Sequence, residues 1–205
     1  MEPGNSQILT CPFCGTEKEI LSLLSWNTFG QVYWSDGKRE APGAPEISYV
    51  QKCPQCGKYY IRKRQEVRFS EDNYSFEQGL LTFSEKKEAF AQLSSEGFIK
   101  KDEECEVRLM LHFAYNDFSR SGEEREFDVE DKIFFRENVL WLIDNCVVDN
   151  VMKAEFYREI GEFELAREIL ESTEIKSDFL MQVAAKILAR VKHKDHKVFK
   201  IIDGD

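Results

Sequence analysis

With 205 residues, 42% of them hydrophobic and 13% aromatic, the chain can build one large domain or two small ones, and it is too apolar to be disordered throughout. No run approaches the roughly 18 apolar residues of a membrane span, and the opening MEPGNSQILT lacks the basic start and apolar stretch of a signal peptide, so the cytoplasm is the expected location. The formal charge of −10 is uneven: residues 1–70 carry 9 Lys and Arg against 7 Asp and Glu, whereas residues 71–205 carry 19 against 31, so the long acidic part repels phosphate backbones.

The first element in chain order is CPFCG at residues 11–15, which returns as CPQCG at 53–57. A Cys-x-x-Cys turn presents two thiolates at the separation one tetrahedral metal needs, and two turns complete its shell. Cys11, Cys14, Cys53 and Cys56 are therefore the expected ligands, with zinc the expected ion. Pro12 and Pro54 preset φ, while Gly15 and Gly57 can adopt positive φ and turn backbone N–H groups toward the sulfurs. Four thiolates on Zn2+ leave a charge of about −2, which the nearby Lys18, Lys52, Lys58 and Arg62 would partly offset. Iron is the rival, since rubredoxins also use paired CPxCG-like knuckles, but the 38 residues between Cys14 and Cys53 fit that compact fold awkwardly. Four cysteines leave no open coordination position, so the metal is expected to fasten a region too small to be stable by burial alone. The remaining Cys105 and Cys146 lie in apolar helical patterns and read as small buried hydrophobes.

Between and after the knuckles, QVYWSD, ISYVQK and KYYIRKRQEVRF read as short strands of a small antiparallel sheet, with turn chemistry in GKREAPGAPE. Trp26, Phe29, Tyr33 and Trp34 are expected to pack mainly as core. Tyr59, Tyr60, Arg62 and Arg64 mix rings with cations, as a single-stranded nucleic-acid surface does. On a strand, however, Lys63 would face away from Arg62 and Arg64, so a solvated strand or one docked on acidic helices is the preferred reading.

The polar stretch 70–79 marks the expected boundary between a zinc ribbon over 1–70 and an acidic helical domain over 80–205, which makes the chain α+β. Thr82 with Glu85 fits a capping box and Gly97 a helix stop; a second helix fits roughly 103–119. Asp128 begins a third helix, apolar over enough of its circumference to sit centrally in a bundle. At about 150–172, VMKAEFYREIGEFELAREIL reads as two short helices hinged near Gly161 and resembles a tetratricopeptide (TPR) hairpin, with Ala154, Tyr157, Ala166 and Leu170 as its packing residues. A last helix from Ser177 to about Lys192 precedes KHKDHKVFKIIDGD, a final short strand or a loose tail.

The order of parts resembles a group of uncharacterised bacterial proteins that join a zinc ribbon to TPR-like helices. The resemblance rests on the four cysteines with their flanking Pro and Gly residues and on AEFYREIGEFELAREIL. It implies an architecture and no particular activity. P-loop, GxSxG and HExxH motifs are absent, and His112, His193 and His196 have no matching nucleophile. The expected function is a non-enzymatic protein-interaction module with a structural zinc, its partner another protein engaged through the helical domain. The alternative is a nucleic-acid-binding ribbon with an acidic regulatory domain.

Overall fold

The computed structural model describes residues 2–64, 66–71, 75, 77–123, 126–147 and 149–202. Its strands are β1 (Glu2–Thr10), β2 (Glu17–Ser25), β3 (Val32–Trp34), β4 (Arg39–Glu40), β5 (Val50–Lys52), β6 (Tyr59–Ile61), β7 (Arg68–Phe69) and β8 (Lys200–Ile202). Its helices are α1 (Phe83–Ser95), α2 (Lys101–Arg120), α3 (Val129–Asn145), α4 (Asn150–Glu159), α5 (Phe163–Ser172) and α6 (Asp178–Lys192). Small antiparallel sheets followed by helices make the chain α+β. Among the described residues no helix is long and apolar enough to cross a membrane.

Compactness divides the chain into one unit of residues 1–30 and 41–111 and a second of residues 31–40 and 112–205. The sequence places its break over 70–79 instead; residues 72–74 and 76 of that stretch lie outside the described residues. Two packing facts account for the difference. In the first unit, α1 and the start of α2 close over the strands, and in the second, β3 pairs with β8 from the far end of the chain.

In the first unit β1 and β2 form an antiparallel hairpin with β7 on the free edge of β1, and β5 pairs with β6. Successive strand residues face opposite ways, and β6 uses both faces. Tyr59 and Ile61 pack with Val50, Ala89, Leu93, Val107 and Met110 against the helices, while Tyr60 packs with Leu9, Ile20, Cys11 and Cys53. The start of α1 is fixed locally: Thr82 accepts from the Glu85 N–H, and Glu85 reaches back to the Thr82 N–H at 3.0 Å, the expected capping box. Further along α1, the Gln92 amide accepts from the Tyr59 N–H at 3.1 Å and donates to the Tyr59 carbonyl at 3.3 Å, so a side chain satisfies the open edge of β6. After Ile61 the chain leaves the sheet. Arg62–Arg64 is a 3-10 turn rather than the continued strand expected, which turns Lys63 to Glu106 and Arg64 to Glu103 of α2. An exposed pair such as Lys63–Glu106 contributes up to about 1 kcal/mol, so the apolar contact carries most of the docking.

In the second unit β3 is flanked by β4 and β8, which resolves the C-terminal segment as a short strand. Asp128 and Ser177, where the sequence starts its third and last helices, cap α3 and α6 through their side chains. The hairpin of α4 and α5, with Gly161 at φ 82° between them, buries Ala154, Ala166 and Leu170 against Val183, Ala184 and Ile187 of α6. Helix α3 is not surrounded as its composition suggested: Val139 and Leu142 are buried, but Val129 and Ile133 are 72% and 52% exposed. Of the four clustered aromatics only Trp34 is core; Trp26 and Phe29 are exposed. Cys105 and Cys146 are half-buried and neither is a free thiol, so the plain hydrophobic reading of both does not hold.

The second unit also buries charge. Arg158 is fully buried and grips Glu155 through Nε and Nη2 at 2.8 and 2.5 Å, with the Phe199 ring 5.3 Å from its guanidinium carbon. Removing one member of such a pair strands the other. Arg158→Leu should therefore cost about 3–5 kcal/mol in urea unfolding followed by far-UV circular dichroism. The double change Arg158→Leu with Glu155→Leu should recover most of that loss; a single variant within about 1 kcal/mol of the parent contradicts the reading.

Candidate metal centre

Each CPxCG sequence is the turn of an antiparallel hairpin, the first joining β1 to β2 and the second joining β5 to β6. The two turns share one hydrogen-bond pattern. Cys11 N–H donates to the Thr16 carbonyl at 2.9 Å and Gly15 N–H to the Cys11 carbonyl at 2.9 Å; Cys53 N–H donates to Lys58 at 2.9 Å and Gly57 N–H to Cys53 at 3.0 Å. Closing a turn this tight requires a left-handed residue after the second cysteine, and Gly15 and Gly57 have φ of 76° and 72°. In both turns the first cysteine is buried and the second exposed.

The pattern brings all four ligand sulfurs within 4.8 Å of one another. Cys11 Sγ lies 3.7 Å from Cys56 Sγ, and Cys14 Sγ lies 3.5 Å from Cys53 Sγ. A tetrahedron with metal–sulfur bonds of about 2.3 Å has edges of about 3.8 Å, whereas a disulfide closes to about 2.05 Å. These separations fit one metal ion and do not fit two disulfides. Among the described residues these four cysteines are the group placed to hold a metal.

The surroundings are unequal. Burial raises the Cys11 thiol, while the Thr16 hydroxyl, 3.3 Å from Cys14 Sγ, lowers Cys14 to about 6. Beneath the sulfurs Leu9, Ile20 and Tyr60 form an apolar floor, and burial followed by the nearby sulfurs pushes the Tyr60 phenol to about 12. The cations that sequence placed close by are drawn to carboxylates: Lys18, Lys52 and Lys58 pair with Glu77, Glu85 and Glu96 at 2.7, 2.9 and 3.2 Å.

The four residues of the nucleic-acid alternative are not assembled as a surface. Tyr59 and Tyr60 are 4% and 3% exposed, Arg62 Nη1 donates to Gln7 at 3.2 Å, and Arg64 Nε donates to Glu103 at 2.7 Å. Their rings are closed to stacking bases. His112, to which sequence gave no role, is fully buried in the second unit near Asp36, Asn116 and Glu159. No motif could have joined these residues, since Asp36 and Asn116 are 80 positions apart. In comparisons with protein-family models, curated proteins and solved structures, nothing matches the chain.

Because binding energy for such a site is folding energy, of order 10 kcal/mol or more, losing one ligand should unfold the first unit selectively. Cys53→Ser is expected to lose the bound metal and to become sensitive to limited proteolysis within residues 1–30 and 41–64, while retaining most of its helical dichroism. A variant that keeps one metal per chain and the parental cleavage pattern contradicts the assignment.

Proposed function

We propose that the chain is a non-enzymatic interaction module in which a structural zinc tetrathiolate fastens the first unit and exposed apolar surface engages another protein. The observation that carries the reading is the convergence of four sulfurs, and no other ligand type, from two matching hairpin turns. A catalytic zinc keeps a position for water or substrate, and a shell of four thiolates has none. Zinc is preferred to iron because the long excursion between the knuckles suits a ribbon better than a rubredoxin. The reading agrees with kinship to the group of bacterial proteins that join a zinc ribbon to TPR-like helices.

The surface argument comes from what each unit leaves uncovered. In the first unit Trp26 and Phe29 are 59% and 82% exposed, beside an exposed Leu24. In the second, Phe179 and Met181 of α6 are exposed near the TPR-like hairpin. Large aromatic residues of this kind anchor protein interfaces and are costly to leave in water. Nucleic acid is disfavoured by the net charge and by the engagement of Arg62 and Arg64 described above.

Crosslinking in the native cell, read by mass spectrometry, tests the reading. A partner protein should crosslink to the parent chain and be depleted at least about tenfold by Trp26→Ser with Phe29→Ser or by Phe179→Ser with Met181→Ser. Salt-sensitive micromolar binding to single-stranded RNA or DNA, with no partner dependent on either pair, contradicts it.

A further inference from the structure

The second unit contains a cavity of about 590 Å³ whose lining has no part in the metal centre. Its apolar wall is Tyr115, Phe118, Phe127 and Phe135, with Tyr115 stacked between Phe127 and Phe135 at centroid separations of 4.0 and 3.7 Å. Glu159 and Asn116 are buried where they line it, and the exposed Glu123 and Glu126 add two further carboxylates. Among the described lining residues Lys197 is the one lysine or arginine.

Glu159 is 5% exposed and only half satisfied. Its Oε2 accepts from Asn116 Nδ2 at 2.9 Å and lies 3.3 Å from His112 Nε2, whereas Oε1 has no hydrogen-bond partner among the described residues. A buried carboxyl oxygen without a donor is costly, and here it belongs to a residue that lines a cavity of ligand size. We propose that this cavity binds a small organic ammonium ion, with Glu159 receiving the charged nitrogen and the aromatic wall packing its hydrocarbon part.

Alternatives fit less well. The exposed carboxylates of Glu123 and Glu126 repel an anion, and Glu159 offers it no positive partner. An inorganic cation needs gathered oxygen ligands, and among the described residues only the four cysteines show metal-ligand spacing. An ammonium needs one close carboxylate and tolerates aromatic neighbours. The site involves no residue of the first unit, so it stands whether or not zinc is the metal there.

The groups around Glu159 also predict a proton signature. From α2 come His112, Asn116 and Arg120; Asp36 comes from the β3–β4 turn; Glu155 and Arg158 lie on α4 itself. His196 and Lys197 line the cavity from the segment before β8, and α3 contributes Phe135, with Asp131 acting on Tyr115. Arg120 contacts and neutralises Asp36, burial holds His112 neutral with its pKa down at about 4, and burial followed by Glu155 and Asp36 raises the Glu159 carboxyl well above its usual range. The empty cluster therefore keeps a proton on Glu159. An ammonium favours the ionised carboxylate, so binding releases up to one proton, and affinity rises with pH until Glu159 ionises in the free protein.

Titration calorimetry on the full chain near neutral pH, with benzylammonium, benzyl alcohol and benzoate as probes of one shape and three charges, tests the proposal. Repeating it in two buffers of different ionisation enthalpy counts protons. Benzylammonium should bind at least about tenfold more tightly than benzyl alcohol, with proton release, and benzoate should not bind. Glu159→Gln should weaken benzylammonium by about tenfold or more and abolish the release. Ser119→Trp, which fills the cavity from α2 outside the polar cluster, should remove binding without changing the dichroism spectrum. If Glu159→Gln does not fold, proton release and Ser119→Trp decide. Equal binding of the neutral probe, binding without proton exchange, indifference to Ser119→Trp, or no heat from benzylammonium at millimolar concentration overturns the proposal.

Discussion

Four sulfurs held within 4.8 Å of one another cannot all be thiolates unless a cation sits among them. That constraint organises the first unit. The cysteines occupy the turns of two hairpins, and the strands of the second, β5 and β6, have three residues each, a size that is marginal alone. A metal held by the four sulfurs would draw the two turns together and stabilise both at once. Strand β6 then transmits the arrangement outward: Tyr60 faces the sulfurs, and Tyr59 and Ile61, on its other side, meet α1 and α2. The knuckles, the sheet and the first helices are thus one packing problem, not a ribbon beside a separate helical part.

The second unit is built on different physics. Its helical hairpin and α6 share a conventional apolar core, but the same unit buries Arg158 with Glu155, and Asp36 with Arg120, His112, Asn116 and Glu159. Ionised groups in such a setting are tolerable when paired or proton-balanced. Arg158 and Glu155 meet that condition within one turn of α4. The other cluster sets Arg120 against Asp36, while burial keeps His112 neutral and raises the Glu159 carboxyl well above its usual range, and it leaves Glu159 Oε1 and His112 Nδ1 without partners among the described residues. A cluster of that kind is expensive as mere scaffolding, which is the physical reason to assign its cavity a ligand.

Features set by local chemistry were legible in the sequence. The cysteine knuckles, the Thr82–Glu85 capping box, the Asp128 and Ser177 caps and the hinge at Gly161 each depend on residues within a few positions, and each stands where the pattern placed it. Features set by distant pairing were not legible. QVYWSD in the excursion between the knuckles reads as a strand, yet its partner does not: Tyr33 and Trp34 pair with Ile202 and Lys200, and only strand register could reveal that. The same gap hid the fate of the aromatics, since Trp34 goes with that strand into a core while Trp26 and Phe29 remain exposed. It also hid the polar cluster, whose Asp36 reaches Asn116 and Arg120 only once the segment around β3 joins the later helices. The expected docking on acidic helices is seen for Lys63 and Arg64, but the facing of residues 62–64 was not legible, because the 3-10 turn that ends β6 breaks strand alternation.

Sulfur convergence upon one closed metal is the claim from which the account of the first unit proceeds, and X-ray absorption at the zinc edge on protein purified under reducing conditions addresses it directly. The account predicts one zinc per chain with four sulfur neighbours at about 2.3 Å and no nitrogen or oxygen in the first shell. A mixed shell containing water or imidazole, or protein that carries no stoichiometric metal, would contradict it.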